Sequence, residues 1–163
     1  MDSTSILINI RKIIRSVNLE SKRIQKEFGL SIPQLLTLNY LNQQTDYKST
    51  HTELARYLNL NSSTLTGIIG RLEKKGWVAK IPNQNDRRVT YISLTATGTK
   101  LLKNTPELMH QRLSDKLKGL SESEFFELEK AFELLIKFME IEDMDASALL
   151  TIDELTAGTG KSS

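Results

Sequence analysis

Between residues 50 and 94 the hydrophobic spacing changes from the three- and four-residue period of helices to the alternation of strands, and few folds accommodate that order in so short a span. Thr50-His-Thr-Glu53 reads as a capping box, in which the threonine side chain takes an unpaired helix amide and the glutamate returns to the cap. The helix it opens carries Leu54, Ala55 and Leu58, and Asn59-Leu60-Asn61 breaks it. Residues 62–75 are helical again, with Leu65, Ile68, Ile69 and Leu72 on one side, and Gly76 is the expected stop. Residues 77–81 and 89–94 are rich in β-branched and aromatic residues and flank PNQND, which has turn chemistry, so they read as two strands of a hairpin.

The flanks are helical. Ile6, Ile10, Ile13, Val17, Ile24 and Phe28 recur at helical spacing without proline or internal glycine, predicting a long amphipathic helix that ends near Gly29. Ser31-Ile-Pro-Gln34 opens a second helix through Leu35, Leu36, Leu38 and Leu41. Thr95 caps a later helix running through Leu101 and Leu102 to Leu117, with a kink or break near Asn104 because Pro106 lies inside it. Ser121-Glu-Ser-Glu124 starts the last helix, whose stripe is Phe125, Leu128, Phe132, Leu135 and Met139. The expected fold class is mainly α with a small β-hairpin wing, a winged helix-turn-helix whose terminal helices form a second layer. An apolar stripe as long as the first is hard to cover within one small chain, so dimerisation through the terminal helices follows. The expected organisation is one domain over residues 1–145, with the winged lobe at about 31–95, dimerisation helices at about 4–29 and 96–142, and an acidic, flexible tail over 146–163.

Composition removes whole classes of function. There is no cysteine, hence no disulfide, thiolate metal site or thiol redox chemistry. No stretch approaches the roughly 18 apolar residues of a membrane span, so no membrane partner is expected and the protein should be cytoplasmic. His51 and His110 stand far apart, each expected to face solvent, and no nucleophile or metal constellation surrounds them: no enzyme and no cofactor. The ending GTGKSS lacks the first glycine of a phosphate-binding loop, where Leu155 stands. Net charge is only +2, but residues 50–95 hold Arg56, Arg71, Lys74, Lys75, Lys80, Arg87 and Arg88 against Glu53, Glu73 and Asp86, a local basic excess that suits a polyanion.

The helix over 62–75 begins with short hydroxyl residues, Ser62, Ser63, Thr64 and Thr66. Such side chains let a helix enter the DNA major groove, bonding phosphates or base edges. Its N-terminus offers amides to a phosphate, and Arg71 two turns on has the reach for a phosphate or a guanine edge. The alternative is that the hydroxyls serve only to start the helix. Trp77 is expected to pack the hairpin onto the helices.

THTELARYLNLNSSTLTGIIGRLEKKGWVAKIPNQNDRRVTYISLTATG resembles the MarR family of winged-helix transcriptional regulators, with S-S-T-L-T before R-L-E-K-K-G, and D-R-R leading to L-T-A-T-G, as its most specific pieces. The layout matches over roughly residues 5–140. The resemblance implies a homodimer that binds pseudo-palindromic double-stranded DNA, usually as a repressor, and that responds to a small anionic or phenolic effector. It implies that Ser63, Thr64 and Thr66 face the major groove, that Arg71 falls on the family's usual arginine, and that Asp86 orients Arg88 at the minor groove, with Arg87 between them. Gly67 stands where many members carry a longer polar residue, and Gly70 where many carry an aspartate. A winged-helix protein-interaction module without sequence-specific DNA readout therefore stands as the alternative. Arg15, Lys22, Arg23 and Tyr40 are the residues offered for an effector pocket.

Overall fold

A computed structural model describes residues 2–144, so the acidic tail expected over 146–163 lies outside the described residues. Two compact units divide them, one through Thr105 and one over Pro106–Met144. The first contains α1 (Thr4–Phe28), α2 (Ile32–Gln43), β1 (Lys48–Thr50), α3 (His51–Leu58), α4 (Ser62–Lys74), β2 (Val78–Pro82), β3 (Thr90–Leu94) and α5 (Ala96–Asn104). The second contains α6 (Met109–Leu117) and α7 (Glu122–Phe138). The mainly helical fold class with a small antiparallel sheet is as expected.

Local chemistry sets the helix ends. Ser31, Thr50 and Ser121 each form a complete capping box with Gln34, Glu53 and Glu124, and Thr95 accepts a bond from the Gly98 amide. Gly29 ends α1 at φ 66°, a left-handed conformation that costs glycine little because it has no Cβ. Pro106 produces a break and not a kink: α5 stops at Asn104, and helix resumes at Met109.

The core of the first unit is built around α2, which is buried on nearly every side and packs on α3, α4, α5 and the sheet. Leu35, Leu38 and Leu41 of α2, and Leu54, Leu65, Ile68, Leu72, Val78 and Ile92 of the elements around it, are all fully or almost fully buried. The sheet departs from the expected hairpin. It has three strands in the order β1-β3-β2, both pairs antiparallel, with Ser49 opposite Ile92 and Lys80 opposite the same residue on the other side. Lys48-Ser49-Thr50 is too short to show alternation, and only the exposed edge of β3 makes it a strand.

The α1 stripe is real but mostly uncovered: Ile24 is buried, whereas Ile6, Leu7, Ile13 and Ile14 remain about half exposed. On α7, Phe125, Phe126, Leu128, Phe132 and Phe138 are exposed as well.

Glu53 joins α3 to the sheet. Its Oε2 accepts from the Thr50 amide at 2.9 Å and from the hydroxyl of buried Ser49 at 2.8 Å. The Thr50 amide, then the Ser49 and Thr50 side chains, hold its carboxyl below the ordinary glutamate value. A depressed folded-state pKa contributes stability above the unfolded value, and that contribution is lost as pH falls through the lower folded value. Glu53→Gln keeps an acceptor oxygen but has no charge to titrate. Urea midpoints measured on either side of the ordinary value of 4.5 should therefore converge in the variant relative to wild type.

Candidate nucleic-acid interface

Helix α4 is capped by Asn61, whose Oδ1 accepts from the Thr64 amide at 2.8 Å and from the Ser63 hydroxyl at 2.8 Å. The side-chain cap of the helix is thus Asn61, with the Ser63 hydroxyl bonded to it and none of the serines or threonines in the capping position. Ser62, Ser63 and Thr66 are exposed and Thr64 is half-buried, while Leu65, Ile68, Ile69 and Leu72 bury the opposite side. At 3.6 residues per turn the centre of the outward face falls on Ser63, Gly67, Gly70 and Lys74, with Arg71 at its edge. A Cβ on Gly67 would lie 3.4 Å from Arg71 Nη1, so the guanidinium folds back alongside the bare backbone, whereas a Cβ on Gly70 would meet nothing within 4 Å.

The wing tip between β2 and β3 is closed by its own backbone: Asn83 N–H donates to Val89 O and Val89 N–H to Asp86 O. Asp86 Oδ1 accepts from the Arg88 amide at 3.0 Å and from Arg88 Nε at 3.3 Å. The carboxylate thus steers a guanidinium whose side chain is 92% exposed. Arg87 is also exposed. The expected pairing of Asp86 with Arg88 is present, and it needs nothing from Gly70.

Two contacts of this surface had no sequence signature. Lys80 on β2 reaches Glu73 on α4 at 2.9 Å, tying the wing to the helix and using one of the basic residues counted above. An exposed pair of this kind is worth little in stability. His51, expected to face solvent, is half-buried and has Nε2 3.1 Å from Thr66 Oγ1 at the surface. Neither pairing follows from spacing, because each crosses between elements.

Trp77 sits at the wing's base, half-buried, with Lys75 Nζ 6.0 Å from its ring centre. Together with Gln25, Gln34, Arg71, Leu72, Lys74 and Lys75 it lines a concavity of about 340 Å³ that has no acidic wall. Of the residues offered for an effector pocket, Arg15 and Lys22 border a shallow depression along α1. Arg23 pairs with Glu27, and Tyr40 stacks on Tyr57 with ring centres 4.2 Å apart. Among the described residues there is no cluster of three metal-binding side chains, and no helix is long and apolar enough to cross a membrane.

Residues 30–90 match the model of the MarR family. The chain is 30% identical over 138 residues to the multiple antibiotic resistance protein MarR of Escherichia coli strain K12, covering 79% of this chain and 94% of that protein. In fold it is similar to Sco3205, a MarR family transcriptional regulator from Streptomyces coelicolor solved in complex with DNA. The TM-score is 0.62 at 22% identity, over 90% of this chain and 94% of the other. It is likewise similar to MepR from S. aureus in its DNA complex, with a TM-score of 0.62 at 21% identity over 84% and 98%.

Proposed function

The chain belongs to the MarR family, and on that premise we propose that it is a sequence-specific, double-stranded-DNA-binding transcriptional regulator that acts as a homodimer on pseudo-palindromic operators. The observation that carries this function is the start of α4. Asn61 does the capping, so Ser62, Ser63 and Thr66 are turned outward where a groove would meet them. Arg88, steered by Asp86, supplies a charge suited to the concentrated negative potential of a narrow minor groove, with Arg87 beside it. Thr64 and Arg71 flank the same helix face. We further propose that it acts in the cytoplasm as a repressor, the role named for its relatives IacR of Pseudomonas putida and MprA of Escherichia coli.

The exposed apolar stripes of α1 and α7 support the homodimer, because stripes this long are costly to leave in water. Two recognition helices meet successive major grooves only when they are roughly 34–36 Å apart. A ligand that alters that spacing switches affinity without touching a contact residue. The cationic cavity beside Trp77 supports a small anionic or phenolic effector.

The test is binding to the DNA upstream of the protein's own gene against a random duplex, over a range of salt, with dimer mass checked by light scattering. Equal affinity for the two duplexes overturns sequence-specific regulation and leaves the protein-interaction module, which the side-chain-free surface at Gly67 and Gly70 favours. The same glycines give a sharper check. Gly70→Ala has open space and should raise stability by about 1 kcal/mol. If the helix backbone lies close to DNA there, the added methyl should also lower DNA affinity several-fold. Melting and titration of the one variant separate the two effects.

A further inference from the structure

Thr66 is the hydroxyl residue of the recognition helix whose bonding is most completely defined. A threonine hydroxyl has one proton and two lone pairs. Thr66 Oγ1 lies 2.8 Å from the Ser62 carbonyl oxygen, and because a carbonyl only accepts, the hydroxyl's single proton is committed there. His51 Nε2 lies 3.1 Å from the same Oγ1. With the hydroxyl proton already used, the proton in that contact comes from the imidazole. Nε2 is therefore the protonated ring nitrogen in this contact.

The imidazole is itself well anchored. His51 is the first residue of α3, immediately after Thr50, which is fixed by its capping box with Glu53 and by strand pairing to Tyr91. A chain of bonds therefore runs from the sheet edge, through the start of α3, into one side chain on the outward face of α4.

We propose that His51 is a positioning residue that sets base specificity by making Thr66 a pure hydrogen-bond acceptor. Donation from His51 occupies one lone pair and holds the rotamer in which the hydroxyl proton points at Ser62. What remains for a base edge is one lone pair and no donor. In the major groove the groups that pair with an acceptor are the amino groups, adenine N6 and cytosine N4, whereas guanine and thymine present acceptors. Thr66 then favours adenine or cytosine over guanine or thymine at one position of the contacted strand in each half-site. Without His51, a threonine in a helix divides between two χ1 rotamers, and the hydroxyl regains both its second direction and its ability to donate. The assignment rests on the DNA-reading function proposed above.

The test uses the full chain and a duplex selected by wild type from a randomised pool, followed by every single base-pair substitution of that duplex in competition binding. Wild type should show one position per half-site where adenine or cytosine is preferred by roughly tenfold, the size of an ordinary mismatch effect. His51→Leu and Thr66→Val should flatten that position to within about twofold and leave the others unchanged. His51→Gln, which still carries an N–H donor, should keep the preference. Thermal melts of each variant identify any loss of fold. A selective wild type whose profile is the same in His51→Leu overturns the assignment alone, as does uniform weakening at every position, which is what loss of a phosphate contact or of stability would produce. A wild type with no preference at any position overturns the DNA-reading function and the assignment with it.

Discussion

Arg88→Ala should lower affinity for operator DNA by about a hundredfold while leaving the melting temperature unchanged. A hydrogen bond to a charged group is worth about 1.5 kcal/mol or more, and the proposed dimer would carry two wings, so about 3 kcal/mol is at stake. The side chain is 92% exposed and its ion pair with Asp86 lies at the surface, so the folded state loses nothing of weight. Salt gives the more diagnostic reading. Each cation lost from the groove flattens the log–log salt dependence by about 0.9, hence by nearly two for the proposed dimer. Arg88→Lys should restore most of that slope, since the charge is kept, but not the affinity, because an ammonium lacks the planar fork that Asp86 steers. An Arg88→Ala protein with wild-type affinity and slope would remove the wing from the interface.

Gly98→Ala should be the most damaging single-methyl change in the first unit. A Cβ at that position would lie 2.3 Å from the Trp77 carbonyl oxygen, 2.7 Å from Leu94 Cδ1 and 3.2 Å from the Trp77 carbonyl carbon. Two of the three neighbours are backbone, so the clash is relieved only if α5 moves off the base of the wing. That base is held by two bonds of Thr95, whose amide donates to Trp77 O at 3.1 Å and whose hydroxyl donates to Gly76 O at 2.6 Å. Moving α5 strains both. Overpacking of this kind costs about 1–3 kcal/mol, and for a chain of this size each kcal/mol lowers the melting temperature by about 2–4 °C. DNA affinity should fall further than stability explains, because the wing's two strands begin just after Trp77 and end just before Thr95. A Gly98→Ala protein that melts like wild type would show that the close approach is not required. The contrast with Gly70, where a methyl meets nothing, separates a glycine needed by the fold from one available to a partner.

Much of the candidate site was legible in the residues. The outward position of Ser63 follows from the buried stripe of Leu65, Ile68, Ile69 and Leu72 on the same helix, Thr66 lies toward its edge, and the Asp86–Arg88 contact follows from a two-residue spacing within one turn. What spacing could not reveal was which residue caps α4. Asparagine and serine are both good caps, and only the backbone conformation at Asn61 selects it. His51 was expected to face solvent because a histidine in a helix-start motif has no local reason to do otherwise. Its partner is fifteen residues away on another helix.

The same division runs through the whole protein. The capping boxes at Ser31, Thr50 and Ser121, the stop at Gly29, an interruption near Asn104 and the apolar faces were determined by the sequence alone, because each depends on residues within one or two helical turns of each other. The third strand, the Lys80–Glu73 tie, the His51–Thr66 bond and the contact of Gly98 with Trp77 were decided only by tertiary structure. These join elements whose separation is set by how α2 packs the core. Side chains at such junctions meet because the backbones carrying them are held a few ångströms apart, and no periodicity records that distance.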